Sequence, residues 1–198
     1  MQAKKYKSKL YTKDGDKGKS CLYSDKCLSK ASIEFQVLGT VDELNCSIGH
    51  AIAHCVQDKV SEHKIKQLKE VQSRLFDVGA HVATPRSPST DKEKLEETTF
   101  SPIHTQNLEH WIDEICSTLE PLKTFVLPSG GLSATSIHVA RAVCRRCERL
   151  LSQLLEQAKI ENTVFEYMNR LSDYLFVLAR SITKETGNIE EYWIKSEI

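Results

Sequence analysis

Chain breakers are scarce. Eight glycines and five prolines occur in 198 residues, against average usage of about 7% and 5%. A turn-rich sandwich or barrel is thereby disfavoured, and long helices have room. Net charge is also missing, because 27 basic residues offset 27 acidic ones. Coating a nucleic acid needs a cationic surplus, so no nucleic-acid partner is expected beyond what a local basic patch would hold. No apolar run approaches the roughly 20 residues that cross a bilayer, and no membrane partner is expected. With 40% hydrophobic residues the chain can bury a core, which excludes global disorder. Seven cysteines form an odd set without a signal peptide, a pattern that speaks against a disulfide scaffold and for a reducing compartment. Met1 to Lys9 is basic, lacks arginine and is short for an organelle presequence. The expected compartment is the cytoplasm unless a presequence has been removed.

Apolar spacing supplies the architecture. The first 30 residues are polar and carry the turn signals Asp14-Gly15 and Asp16-Lys17-Gly18, as in an ordered loop. From Ile33, Phe35, Leu38, Val41, Leu44, Ile48, Ile52 and Cys55 recur every three or four residues, the signature of a helix with one apolar face. A second helix is predicted over Glu62–Val82, ended by Thr84-Pro85. A third covers Thr105–Leu119, a fourth Ser133–Gln157 and a fifth Thr163–Glu185, closed by Gly187-Asn188. No stretch alternates with period two and no repeat is present. The expectation is an all-α five-helix bundle in one domain spanning 1–198, with a loop at 1–32, the bundle at 33–187 and a tail at 188–198.

Several clusters carry chemistry. Tyr11 to Ser20 holds Gly15, Gly18, Lys13, Lys17, Thr12 and Ser20, the ingredients of a phosphate cradle or of a plain solvated turn. It is not a Walker loop, since the glycine–lysine–serine/threonine order is absent. On the fourth helix Arg141, Arg145 and Arg149 lie four residues apart with Arg146 and Glu148 beside them. Such a cluster repels itself unless anions or carboxylates lie opposite. It is either a balanced surface or an interface or phosphate site. On the fifth helix Asn169, Asp173, Phe176 and Arg180 share one side, with an Arg170–Asp173 pair as the bland alternative. Asp42 lies among apolar positions of the first helix and needs a basic partner if it faces inward.

Other signals are demoted. Cys144-x-x-Cys147 sits within a helical pattern without a second pair, so core packing is the better reading than zinc. His50 and His54 have metal-ligand spacing but no protease glutamate. No histidine has a glutamate three residues before it, which removes ferritin-like di-iron chemistry.

Four blocks occur together in a recognisable order: Tyr11-Thr12-Lys13-Asp14-Gly15-Asp16-Lys17-Gly18; Gly39-Thr40-Val41-Asp42-Glu43-Leu44-Asn45; Phe125 to Gly131 running into His138 through Arg149; and Asn169 through Phe176. With them the sequence closely resembles the PduO-type ATP:corrinoid adenosyltransferases, which include the animal mitochondrial enzyme. The resemblance implies a homotrimer of five-helix bundles with its active site between subunits. The expected reaction moves the 5′-deoxyadenosyl group of ATP to the cobalt of cob(I)alamin and releases triphosphate. An ATP-gated cobalamin carrier without turnover is the alternative.

By the same resemblance, Thr12, Lys13, Asp14, Gly15, Asp16, Lys17, Ser20, Cys21 and Lys30 would meet ATP from the N-terminal loop. Arg145, Arg146, Cys147, Glu148, Arg149 and Asn169 would meet it from the helices, with Mg²⁺ on the phosphates near Asn169. Arg141 and Asp42 match a pair that bridges neighbouring subunits. Phe125 matches the aromatic that displaces the lower cobalt ligand, Phe176 a corrin contact, and Asp173 joins Arg145, Arg141, Asp42 and Phe125 in the catalytic set. A flavoprotein reductase and an adenosylcobalamin-dependent acceptor enzyme are implied partners, and the mitochondrial matrix is the implied compartment where a presequence has been removed. The chain departs from the family after Leu22, where Tyr23-Ser24-Asp25-Lys26-Cys27 replaces a glycine-containing stretch, and at Lys19, where a small or apolar residue is common.

Overall fold

The structure is a computed structural model that describes residues 13–196. A 3₁₀ turn, Asp14–Lys17, leads into a hairpin of β1 (Lys19–Cys21) and β2 (Cys27–Ser29). Six helices follow: α1 Ile33–Gln57, α2 Glu62–Val82, α3 Lys92–Glu97, α4 Ile103–Cys116, α5 Gly131–Glu156 and α6 Asn162–Glu185.

The all-α expectation holds for the body, with two corrections. Five long helices are joined by a sixth, α3, in the polar link after Pro88. It forms because the Asp91 carboxylate accepts the Glu93 N–H at 2.8 Å, an N-cap that substitutes for an apolar stripe. It buries no residue, hence the lack of periodicity. The N-terminal segment is a hairpin, with Lys19 opposite Ser29 and Cys21 opposite Cys27. Strands of three residues are too short to display alternation. Cys21 and Cys27 form a disulfide, while the other five cysteines are free. The expectation of an undisulfided chain is corrected at that one place.

α1, α5 and α6 form the centre, with α2 against α1 and α4 against α6. The apolar stripes of α5 and α6 are buried throughout, from Ile137 to Leu154 and from Val164 to Ile182. On α1 the stripe begins at Val37, which is fully buried, whereas Phe35 is only half-buried. α4 starts after Pro102, whose ring-fixed φ of −65° is already helical. Its end tightens into i→i−3 bonds at Thr118 and Leu119, so the helix stops short of the predicted Leu119. Gly187 adopts φ +70°. With Gly187 N–H donating to the Lys184 carbonyl and Asn188 N–H to the Thr183 carbonyl, the end of α6 is a Schellman cap.

α1 and α5 run antiparallel. Lys159 just past the end of α5 pairs with Glu34 at the start of α1 at 2.7 Å, and Ser133 early in α5 donates to Asp58 after α1. This arrangement sets the arginines of α5 beside the acidic residues of α1.

Candidate active site

The N-terminal turn is built around left-handed backbone at Lys13 and Gly18, φ 68° and 73°. Such a conformation suits glycine and costs a lysine energy. The Lys30 N–H donates to the Gly18 carbonyl at 2.9 Å, so the second strand returns Lys30 to the turn. A Cβ on Gly15 would lie 2.7 Å from Lys30 Nζ. Gly15 therefore makes room for that ammonium. Lys13, Asp16, Lys17, Cys21 and Lys30 are exposed and Ser20 is half-buried. The result is a surface cradle of turn backbone and three lysines, suited to an anion. Thr12 lies outside the described residues, and of Asp14 only the backbone is described.

The departure after Leu22 has a structural role. Leu22 is buried, and Ser24 N–H donates to the Ala83 carbonyl beyond α2. Lys94 of α3 reaches the Tyr23 carbonyl at 2.8 Å and Asp25 at 2.5 Å, while the Tyr23 hydroxyl donates to Glu97. The altered stretch thus docks the hairpin turn on α3 and leaves the lysine-bearing end free.

α5 presents Arg145, Arg146 and Arg149 to solvent. Arg146 pairs with Glu43 of α1, but among the described residues Arg145 and Arg149 have no ion pair. Asn169 of α6 donates to Glu148 at 2.8 Å, joining the two helices at this face. Asp173 is exposed, 3.5 Å from Arg170, which also holds Glu109 of α4; the bland pairing of Arg170 is therefore present. Cys147 is fully buried, and burial pushes its thiol up to about 12. Its neighbour Cys144 donates to the Met168 carbonyl. Both belong to the core, so the thiol of Cys147 does not reach the arginine face.

Arg141 lies one turn before Arg145. Its Nε is buried without a hydrogen-bond partner. Burial and the neighbouring Arg145 both lower its pKa, the mark of a guanidinium without a carboxylate. Asp42 on the adjacent α1 is exposed and makes no ion pair among the described residues. The Arg141 guanidinium sits 5.9 Å from the Phe176 ring centre, and His138 lies on the same ring at 6.3 Å. His138 is 5% exposed with an unpartnered Nδ1. Burial, reinforced by Arg141, pushes its pKa down to about 4, so it is neutral. Sequence reasoning missed His138 as a site residue, although it stood inside the quoted block.

Phe125 is 78% exposed and held from behind by the C-terminal tail. Trp193 N–H donates to the Phe125 carbonyl, and Leu127 N–H to the Glu191 carbonyl, each at 2.8 Å. The Trp193 ring meets Phe125 edge-on at 6.2 Å. The tail is itself anchored by an ion pair between Arg180 of α6 and Glu190 at 2.7 Å. Arg180 is thus spent on the tail and does not join Asn169 and Asp173. The tail's role was also missed, although two adjacent aromatics in a short polar segment were its signal.

The Nε2 atoms of His50 and His54 are 3.2 Å apart. Among the described residues no group of three or more histidine, cysteine, aspartate or glutamate side chains could hold a metal ion. None of the described helices is long and apolar enough to cross a membrane.

The family described as cobalamin adenosyltransferase matches residues 10–182. The chain belongs to that family. It is 41% identical over 189 residues to the human corrinoid adenosyltransferase MMAB, covering 96% of this chain and 74% of that protein. It is 37% identical over 179 residues to the corrinoid adenosyltransferase of Bacillus subtilis, with 90% and 89% covered. Among solved structures it resembles a phenylalanine-to-alanine variant of the PduO-type ATP:corrinoid adenosyltransferase from Lactobacillus reuteri complexed with cobalamin and ATP, at a TM-score of 0.84 and 32% identity, covering 94% of this chain and all of the other. This cobalamin adenosyltransferase uses ATP to adenosylate cobalamin.

Proposed function

We propose that the adenosyl transfer takes place where the lysine cradle and the arginine face of α5 meet ATP, in a site completed between copies of a homotrimer. The observation that carries this reading is the mismatch between Arg141 and Asp42. One is a half-buried cation whose Nε is buried without a partner, the other an exposed acid on the adjacent helix, and no ion pair joins them among the described residues. A buried unpaired charge is costly, and Asp42 of another copy would supply the missing carboxylate. Asp42 also borders an apolar groove of about 280 Å³ between α1 and α2, beside the exposed Phe76. A groove of that kind suits association.

Cobalt(I) is a strong nucleophile, so the protein needs no activating base. Its work is to hold the 5′-carbon in line and to stabilise the departing triphosphate. Arg145 and Arg149, free of carboxylates, are suited to the triphosphate, as is the Lys13, Lys17 and Lys30 cradle. Magnesium keeps most of its waters and is commonly held through substrate phosphates with one or two protein oxygens. Glu148 and Asn169 offer such oxygens, so the residues fit an ion carried by ATP, which would share the phosphate charge. Phe125 is exposed yet braced by Trp193, as a wedge that occupies the lower face of cobalt should be. Removing the lower ligand withdraws electron donation and makes cobalt(II) easier to reduce. Phe176, backed by Arg141 and His138, serves as the corrin contact.

The chemistry calls for a source of cobalt(I), and the family resemblance supports a flavoprotein reductase and an adenosylcobalamin-dependent acceptor enzyme as partners. The similarity to the mammalian enzymes supports the mitochondrial matrix as the compartment. The reading of 1–198 as one adenosyltransferase domain is supported by the family match over residues 10–182.

The interface is tested by charge exchange. Asp42→Arg and Arg141→Asp are each expected to shift the trimer toward monomers in sedimentation and to lose turnover, and the double exchange to restore part of both. Single variants that sediment as the parent protein would contradict the shared site.

A further inference from the structure

The disulfide ties Cys21, at the cradle, to Cys27, which belongs to no proposed ATP contact. Cys21 and Cys27 face each other in register across the hairpin, and both are exposed. Of the free cysteines, Cys55, Cys144 and Cys147 are buried, and Cys46 and Cys116 stand singly on α1 and α4.

The bond divides the hairpin into two halves with different duties. On one side, the turn from Leu22 to Lys26 is docked through Tyr23, Ser24 and Asp25 to α3 and to the end of α2. On the other, Lys30 returns to the 3₁₀ turn, with its N–H on the Gly18 carbonyl and its ammonium over Gly15. Only three residue pairs form the ladder. A two-stranded hairpin of that size is marginal on its own. A covalent link between the docked turn and the lysine-bearing end fixes the register that brings Lys30 to Gly15 and Gly18.

We propose that Cys21 and Cys27 are a thiol–disulfide exchange site that sets the affinity of the cradle for ATP, with a dithiol reductant and a small-molecule disulfide as its reaction partners. The inference rests on the reading of the cradle as the ATP site. In reduction, a thiolate of the dithiol attacks one of the two sulfurs and the Cys21–Cys27 bond breaks. The second thiol of the reductant then attacks the mixed disulfide and expels the remaining protein sulfur as a thiol. The protein gains two electrons and two protons as two thiols, and the dithiol becomes a disulfide. In the other direction, one oxidised glutathione is consumed and two glutathione thiols are released. The exposure of both residues gives the reductant access. Once reduced, the lysine-bearing end samples other registers, and ATP binds only the fraction in which Lys30 stands at the turn.

The test titrates Mg·ATP by calorimetry into the full-length protein, after oxidised glutathione or after dithiothreitol. Thiols are counted in each sample. The oxidised protein should show five free thiols and the reduced protein seven. ATP should bind about fivefold more weakly to the reduced form, as for a cradle competent one-fifth of the time. Cys27→Ser should match the reduced parent in both buffers, since Cys27 belongs to no proposed ATP contact. Lys30→Ala separates the two readings, and it should weaken ATP binding in the oxidised protein. Equal affinities in the two states with a Lys30→Ala effect would overturn the exchange site and leave the cradle standing. Equal affinities with no Lys30→Ala effect would overturn both, and seven thiols after oxidised glutathione would overturn the exchange site alone.

Discussion

Arg145 differs from its neighbours in what it lacks. Arg146 has Glu43 and Arg170 has Glu109 and Asp173, whereas Arg145 is exposed without a carboxylate. A guanidinium left free beside Glu148 and Asn169 is available to an anion whose charge grows during the reaction. Arg145→Ala is expected to lower adenosyl transfer by roughly 10²–10³-fold while cobalamin binding is retained, as read by turnover beside a cobalamin titration. Unchanged turnover would remove Arg145 from triphosphate stabilisation. For the wedge, Phe125→Ala should leave cob(II)alamin five-coordinate in the presence of ATP by electron paramagnetic resonance, and Trp193→Ala should do so in part, because Trp193 braces the ring. A full four-coordinate signal in Phe125→Ala would contradict the role.

His81 gives a residue-scale prediction about stability. It is fully buried at the end of α2 and pushed down to about 4, first by burial and then by Arg86. Its Nε2 accepts the Glu161 N–H at 3.1 Å, and its Nδ1 lies 2.9 Å from both the Thr98 carbonyl and the Arg86 guanidinium, so a cation already faces the ring. A doubly protonated ring would set an Nε2 proton against the Glu161 donor. Since the folded pKa lies below the ordinary 6.5, the full stability is present above pH 6.5. As the pH falls toward 4 the unfolded chain takes up the proton first and stability is lost, by about 3 kcal/mol from this residue at most. Urea midpoints should fall over that window, and His81→Asn should flatten the fall. A midpoint independent of pH between 6.5 and 4 would contradict the assignment.

At the scale of elements, helix ends carry the clearest expectations. α1 and α5 end in Schellman bonds like those of α6, with Val60 N–H donating to Cys55 and Lys159 N–H to Leu154. Their left-handed residues, however, are Lys59 and Ala158, at φ 57° and 52°. Left-handed backbone costs a non-glycine residue about 1–2 kcal/mol, partly offset by the unfolded-state entropy of glycine. Lys59→Gly and Ala158→Gly should each raise stability by about 0.5–1 kcal/mol, seen as a higher melting temperature; a lower one would contradict the cap. At Gly130 the opposite holds. Its φ is +94°, and a Cβ would fall 2.0 Å from Thr183 Oγ1. Gly130→Ala should therefore cost several kcal/mol and loosen the start of α5 below Phe125.

These elements also show what was legible in the sequence. The five long helices were visible because each buries one stripe against a neighbour, and Gly187-Asn188 was readable as a cap because glycine tolerates the required φ. The caps at Lys59 and Ala158 were not, since nothing in those side chains announces a left-handed turn. α3 rests on an Asp91 cap and buries nothing, the hairpin strands are too short to alternate, and the tail is tied down by backbone bonds to Phe125 and Leu127. Such structure is set by tertiary contact, which local periodicity does not contain. The cradle and the arginine face were legible as clusters, whereas their distinct duties were not. Only the fold separates Arg145, which is free, from Arg146, which is paired, and places the thiol of Cys147 in the core.

At the scale of the whole molecule, the proposed site consists of two halves carried on one scaffold. The cradle hangs from the start of α1, the arginines line α5, and the braced Phe125 precedes α5 at its other end. Antiparallel packing of α1 against α5 fixes Arg146 beside Glu43 but leaves Arg141 and Asp42 apart. In the proposed assembly a second copy supplies the missing partner, and the free aromatic and cationic faces suit a large anionic nucleotide and a corrin together. The measurement that tests this account most directly is turnover. Purified protein is mixed with ATP, Mg²⁺ and chemically reduced cob(I)alamin, and the absorbance change to the cobalt–carbon product is followed beside triphosphate release. The account predicts one triphosphate per adenosylcobalamin formed. Binding of both ligands without triphosphate or a cobalt–carbon bond would contradict it and mark the protein as an ATP-gated carrier.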